Sequence, residues 1–308
     1  MVTTTAAEQR RDPRWIRQEG LVPDALLNVM THSSVFIPGL GAIGSAALLA
    51  LARTGIGRFV IIDPDTVSIE NVAGQVFATT DTVGRGKADV AADFIRSVNP
   101  TAIVEIRQIT NDVQTLRDIM GTVDVVVLGM DSLVGGIACY RAARLARKPV
   151  VDFLYFPTPN VVSTLPDEET PEERFEYPTL GRTLDQCAEY SVAAESLLRV
   201  VAYGFATNPG LLDSPYISVN PFLGRFLRLE GAIPSFAPLT IEVGTLMARE
   251  ALAMIAHQHA LAWPRLGSPA FYVDTYRGYC SRPSNARLRE LQEAQTIMSR
   301  LKEVRDVA

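Results

Sequence analysis

The segment Gly39-Leu40-Gly41-Ala42-Ile43-Gly44 limits how this chain can fold more than any other feature. It joins the apolar run Val35–Ile37 to Ala42–Thr54, an Ala/Leu-rich stretch of helical length, and so reads as a tight turn between a strand and a helix. Glycines there let the chain turn sharply and let backbone N–H groups approach a phosphate at the positive end of the helix. The β-branched run Arg58–Asp63, bounded by Gly57 and Pro64, predicts the next strand. Asp63 closes it near the offset of about 20 residues at which a carboxylate accepts hydrogen bonds from ribose hydroxyls. Strand, glycine turn, helix and strand-end acid together point to a nucleotide site.

The alternation continues. Lys87–Val98 carries Val90, Ala91, Phe94, Ile95 and Val98 on one helical face. Ile103–Ile109, Val123–Met130 and Val150–Phe153 are further strand candidates, with helical patterns at Asp112–Met120 and Gly135–Arg147 between them. This predicts an α/β fold: a Rossmann-like, doubly wound, mainly parallel sheet with an elaborated C-terminal half. After Phe156 the pattern loosens. Five prolines from Pro157 to Pro178 surround the acidic stretch Asp167–Glu176, which reads as a solvated surface loop or crossover. Helical patterns return at Asp185–Phe205 and Leu239–His257, a strand at Ala270–Thr275 and a charged helix at Ser284–Val304, while Asn208–Pro234 matches no pattern. The expected organisation is an N-terminal arm (1–32), a nucleotide-binding region (33–155) and a crossover, substrate-binding and dimerisation region (156–308) in the same globular unit.

Composition narrows the partners. With 308 residues, 47% of them hydrophobic, the chain can bury a sizeable core, and its formal charge of -5 lacks the basic footprint of a nucleic-acid binder. No run approaches the roughly 20 apolar residues of a membrane span, and the first residues lack a signal-peptide core, so no membrane association is expected. Cys139, Cys187 and Cys280 are widely spaced and odd in number, which suits a reducing cytoplasm and supplies neither a disulfide framework nor paired zinc ligands. His32, His257 and His259 have no evident chemical partner.

The glycine turn and Asp63 alone do not separate NAD from ATP. Asn71 and Gln75 lie just beyond Asp63 and Asp65, Lys87 opens the next helix, and Asp131 directly follows the strand ending at Met130. Ligands of open α/β sheets sit outside the carboxyl ends of the strands, so Asp131 is placed to hold Mg²⁺ and Lys87 to neutralise phosphate. Hydride transfer needs neither.

In these residues the sequence resembles the ThiF/MoeB adenylyltransferases, relatives of the ubiquitin-activating enzymes. The resemblance covers roughly 14–153 and 236–276. It begins at Arg14-Trp15-Ile16-Arg17-Gln18, similar to the family's Arg-Tyr-x-Arg-Gln, and continues through the glycine turn, Asp63 and Asp65, Asn71 to Gln75, Gly84 with Lys87, Asn99-Pro100 and Gly129-Met130-Asp131. The stretch from Pro234 to Leu252 looks most like the branch that adenylates peptides in making microcin-C-type antibiotics. The resemblance implies a homodimer in which Arg17 reaches the ATP of the opposite subunit. It also implies attack of a carboxylate, on a small protein, a precursor peptide or a biosynthetic intermediate, on the α-phosphorus of ATP, followed by acyl transfer to a nucleophile. Gly39, Gly41, Ala42, Gly44, Asp63, Asp65, Asn71, Gln75 and Lys87 would hold the nucleotide. Asp131 through Mg²⁺, Lys87 and Arg17 would carry the chemistry.

The departures are specific. Gly74 stands where the family has an arginine on the phosphates, leaving Arg17, Lys87 and Arg85 as the available cations, and Ala42 replaces a glycine. The zinc-binding cysteine pairs of the family are absent, so no zinc is expected. Cys187 is the one candidate for an acyl-accepting nucleophile, against the alternative of a buried apolar residue. The competing readings are a non-catalytic nucleotide-binding subunit, an adenylation-dependent cyclase or dehydratase, and an NAD-dependent oxidoreductase.

Overall fold

Ser34–Pro38 is buried at every residue, as a strand covered on both faces must be, and it forms β1 of the sheet. The computed structural model describes residues 12–153, 160–207, 235–266, 270–274, 279–281 and 297–299. The other strands are β2 (Arg58–Ile62), β3 (Ile103–Ile106), β4 (Val125–Val127), β5 (Val150–Asp152), β6 (Asn160–Thr164), β7 (Ala270–Asp274) and β8 (Tyr279–Ser281). Among the described residues they make one sheet in the order β3-β2-β1-β4-β5-β6-β7-β8. The first five strands pair in parallel and the last three antiparallel, so the expected parallel half is present and is extended on one side by a meander-like edge.

Strand alternation divides the core in two. Val35, Ile37, Phe59, Ile61, Val125 and Val127 pack with α1 (Asp24–His32), α2 (Ala42–Thr54), α3 (Lys87–Val98) and the long helix Ala237–Gln258. Phe36, Val60, Ile62, Val126 and Leu128 pack instead with α4 (Val113–Gly121) and α5 (Leu133–Ala146). Full burial of each such Val, Ile or Phe side chain contributes about 1.5–3 kcal/mol. α4 and α5 begin where Asp112 and Ser132 accept backbone N–H bonds from Thr115 and Gly135, and α2 and α5 stop at left-handed residues, Gly55 and Arg147.

α2, α3 and the parallel strands lie where the sequence places them, with β1 longer by one residue at each end and the ends of the other strands trimmed by up to three. Residues 24–32 form α1, and Leu26, Leu27 and Met30 belong to the main core. Three expectations for the chain after Phe156 are corrected. The proline-rich stretch after Phe156 contains β6, buried throughout, because it is covered as the continuation of the sheet. The acidic stretch is no solvated loop: Thr170 and Glu173 form a reciprocal cap on the short helix α6 (Pro171–Arg174), whose Glu172 is buried against Arg141 at 2.6 Å while Glu173 pairs with Arg144. The expected single helix Asp185–Phe205 is two, α7 (Leu184–Cys187) and α8 (Tyr190–Thr207). Ala237–Gln258 is α9. Asn208–Pro234 and all but residues 297–299 of the expected C-terminal helix lie outside the described residues. No helix among them is long and apolar enough to cross a membrane.

Candidate nucleotide site

The glycine turn closes on itself and on β4. Gly39 has φ of +90°, and a Cβ there would lie 2.5 Å from the Met130 nitrogen. A Cβ at Gly44 would fall on the Gly39 carbonyl oxygen and 3.2 Å from the Gly129 Cα. These two glycines are therefore demanded by the protein's own backbone. Gly41 differs. It is the N-cap of α2 with no side-chain hydrogen bond, its φ of -66° suits any residue, and a Cβ on it would meet nothing within 4 Å. Its lack of a side chain leaves open space beside the free N–H groups of the helix, and helix N-termini in general suit anions.

Asp63 is bound to this turn. Its Oδ2 accepts the Leu40 N–H at 2.6 Å and its Oδ1 accepts the Asp65 N–H at 3.0 Å. Burial pushes its carboxyl up, against the pull of those two N–H groups and of Lys87. Lys87, the first residue of α3, gives its N–H to the Asp65 carbonyl at 2.9 Å and its Nζ to Asp65 Oδ2 at 2.8 Å. Asp65 thus pairs with Lys87. Arg85 is paired with Asp93 at 2.6 Å.

The loop from Asn71 to Gln75 folds over the start of α2. Asn71 Oδ1 accepts the Ser68 N–H, the Asn71 carbonyl accepts the Gln75 N–H at 2.8 Å, and Ser45 Oγ accepts the Val76 N–H at 3.2 Å. β4 ends at Val127, earlier than the sequence suggests, so Asp131 does not directly follow a strand but lies in the short loop that leads to Ser132 and α5. It is exposed and has no hydrogen bond or ion pair among the described residues. No group of three metal-ligating side chains occurs among them. One free carboxylate fits Mg²⁺, which is commonly held by one or two carboxylates together with substrate phosphates and water.

The carboxyl ends of β1, β2 and β4 thus gather Gly39, Gly41, Ala42, Gly44, Asp63, the Asp65–Lys87 pair, Asn71, Gln75 and Asp131. Arg17 stands elsewhere. Its turn, Pro13–Gln18, docks at the far ends of α2 and α3, where Gln18 donates to the Arg53 carbonyl at 2.9 Å, Trp15 lies against Gly55 and Arg14 donates to Asn99 at 3.0 Å. At 1.5 Å per residue that is about 20 Å from the glycine turn of its own chain.

Cys187 is fully buried, with its Sγ 3.9 Å from the Thr179 carbonyl and from Arg141 Nη2, and burial pushes its thiol up despite Arg141. A protonated thiol in a packed setting is a poor nucleophile. Sequence reading passed over Ser45 and the pair Tyr140–Asp152. Burial pushes the Asp152 carboxyl to about 7, while it accepts N–H and O–H bonds from Phe153 at 2.7 Å and Tyr140 at 3.0 Å. No motif marks that pair; only the register of β5 against α5 brings it together.

The ThiF family model matches residues 16–291. The adenylyltransferase and sulfurtransferase UBA4 of Scheffersomyces stipitis is 34% identical over 122 residues, 40% of this chain and 28% of that protein. The tRNA threonylcarbamoyladenosine dehydratase of Escherichia coli strain K12 is 40% identical over 86 residues, 28% of this chain and 32% of that one. The alignments span no more than about a third of either relative. The crystal structure of E. coli TcdA, the same dehydratase, in complex with AMP superposes with a TM-score of 0.56 at 23% identity, covering 80% of this chain and 96% of that chain, and so shares the fold.

Proposed function

Since this chain belongs to the ThiF family, we propose that it binds ATP at the glycine turn and transfers AMP to a substrate carboxylate, releasing pyrophosphate. The observation that carries the reading is the open side of Gly41 beside a free helix N-terminus, with Lys87 and an unpaired Asp131 at the same sheet edge. A carboxylate oxygen attacks the α-phosphorus, and the bond to the bridging oxygen breaks with its electrons leaving on pyrophosphate. The attacking group is already ionised, so no side chain has to remove a proton. The protein's work is then placement and charge neutralisation. Asp63 accepts the ribose hydroxyls, the turn and Lys87 receive phosphate oxygens, and Asp131 holds Mg²⁺. The metal, when bound, neutralises charge developing on the phosphates. A nucleophile then takes the acyl group from the adenylate. The acyl substrate is a carboxylate on a small protein, a peptide or a biosynthetic intermediate.

Calorimetry with Mg-ATP and with NAD⁺ tests the nucleotide. ATP alone is expected to bind, and Gly41→Ala is expected to weaken it at least tenfold while changing stability by less than about 1 kcal/mol, because the new methyl meets only ligand. Preference for NAD⁺, or ATP binding indifferent to Gly41→Ala, would sink the reading.

The distance of Arg17 from its own glycine turn supports a homodimer in which it serves the opposite site. Arg17→Ala and Lys87→Ala are each expected to be nearly inactive, and a 1:1 mixture of the two, after subunit exchange, to regain about a quarter of wild-type activity. Half the dimers are then mixed and each restores one site of two. No recovery would place Arg17 outside the site.

A second reading is favoured by the 40% identity to a dehydratase: activation ends in loss of water within one substrate rather than acyl transfer to another. Mass spectrometry separates the two, since dehydration leaves a product lighter than its substrate by one water.

A further inference from the structure

Gly74 is buried, and what covers it comes from far along the chain. A Cβ at this position would lie 2.6 Å from Ser235 Oγ and 3.9 Å from the Ala42 Cβ. Three segments therefore meet at one point: the first residue of α2, the loop between Asn71 and Gln75, and the residue that precedes the N-cap of α9. The meeting is fixed by helix packing. A Cβ at Gly244 of α9 would lie 2.6 Å from the Ala46 Cβ and 2.7 Å from the Ala47 nitrogen, so α9 runs tightly against the start of α2 and carries Ser235 to the glycine turn.

Ser235 is exposed, and its hydroxyl has no hydrogen bond among the described residues. The neighbouring Thr240 behaves differently: its hydroxyl donates to the Ala237 carbonyl at 3.3 Å within the first turn of α9. The fold thus leaves Ser235 Oγ unused while holding it against Gly74, whose other neighbour is Ala42, where α2 presents free N–H groups and Gly41 leaves room for a ligand. Phosphate is the ligand chemistry that such a place selects.

We propose that Ser235 is a phosphate-binding residue of the nucleotide site, its hydroxyl donating to the phosphate chain of ATP from the side that Gly74 leaves open. The inference rests on the adenylation reading and adds to it a contact from the second half of the chain. It also gives Gly74 a reason: any side chain there would force the Ser235 hydroxyl into another rotamer.

The test is calorimetry on the full chain with Mg-ATP and, separately, adenosine. Ser235→Ala is expected to weaken ATP about tenfold, the scale of one hydrogen bond to a charged group, and to leave adenosine unchanged. Ser235→Thr, which keeps the hydroxyl, should bind ATP within about threefold of wild type. Gly74→Ala should match the loss of Ser235→Ala by displacing the hydroxyl, and the double variant should lose no more than either alone, because the two changes remove the same contact. ATP binding unchanged in Ser235→Ala, or an equal loss for adenosine, would overturn the assignment. Failure of the wild type to bind ATP at all would instead remove the adenylation reading, and that result is visible before any variant is made.

Discussion

Asp131→Ala is expected to lower adenylation by at least about a hundredfold while leaving the urea midpoint of unfolding within experimental error of wild type. The kinetic side follows from position. Asp131 sits in the loop between β4 and α5, one residue after Met130, whose nitrogen abuts Gly39, and its carboxylate has no partner among the described residues. A group aimed at developing charge in a phosphoryl-type transition state contributes on the order of 3 kcal/mol, and removing it costs two to three powers of ten in rate. The stability side follows from exposure, since substitutions of exposed, unpaired side chains change stability by about 0.5 kcal/mol or less. Pyrophosphate release reports the first and urea denaturation the second. ATP calorimetry with and without Mg²⁺ gives a further readout: the metal should strengthen binding to the wild type and not to the variant. A variant as active as wild type would remove Asp131 from the mechanism, and a variant that unfolds early would assign it to the fold.

The parts of the fold that could be read from the sequence were those in which local chemistry and tertiary placement agree. α2 and α3 have helix formers on an apolar face, a glycine before each and a stop after it, so their observed limits coincide with the reading. β1, β2 and β4 are runs of β-branched residues buried on both faces, whose apolar character needs no partner to be recognised. The elements that were missed depend on partners distant in sequence. β6 reads as loop because Asn160, Ser163 and Thr164 are polar, yet all three are buried by the sheet that β5 and β7 complete. The acidic stretch looks solvated until Arg141, Arg144 and Arg147, three positions apart on and just after α5, are seen to face Glu172, Glu173 and Asp167.

The same division holds in the site. The positions of Asp63 and Lys87 are legible because one directly follows β2 and the other opens α3, both of which the alternation already defines. The pairing of Asp65 with Lys87 was not legible, because it depends on how the loop after β2 bends back to the start of α3. Nor was the meeting of Gly74 with Ser235, which is set by the close crossing of α9 on α2. Gly74 in place of a family arginine looks from sequence like a lost cation. In the folded chain it is a space filled by a hydroxyl from the second half of the molecule. Phosphate binding by that hydroxyl and by backbone N–H groups would rely on dipoles where the family pattern uses charge, so ATP affinity would depend less on salt than it would at a site built around a further arginine.

Gly44→Ala is expected to lower stability by about 3 kcal/mol or more and to abolish ATP binding with it, in contrast to Gly41→Ala three residues earlier. The added methyl would clash with the Gly39 carbonyl oxygen, with the Gly39 carbonyl carbon at 3.0 Å and the Gly129 Cα at 3.2 Å. All three are backbone atoms, so no side chain can rotate away. Gly39 cannot yield either: it is held at φ +90° and its own nitrogen donates to the Ile62 carbonyl at 2.7 Å. Relief requires α2 to move off β1 and β4, breaking the packing of Ala47, Leu48 and Leu51 in the core. Overpacking by one carbon costs 1–3 kcal/mol even where side chains can adjust, and a backbone clash lies at or beyond the upper end. Urea denaturation of Gly41→Ala and Gly44→Ala side by side measures the contrast. If both keep the wild-type midpoint, the turn is looser than its geometry shows and its glycines serve only the ligand; if both lose it, Gly41 too is structural, and its open side loses its meaning as the place where phosphate is received.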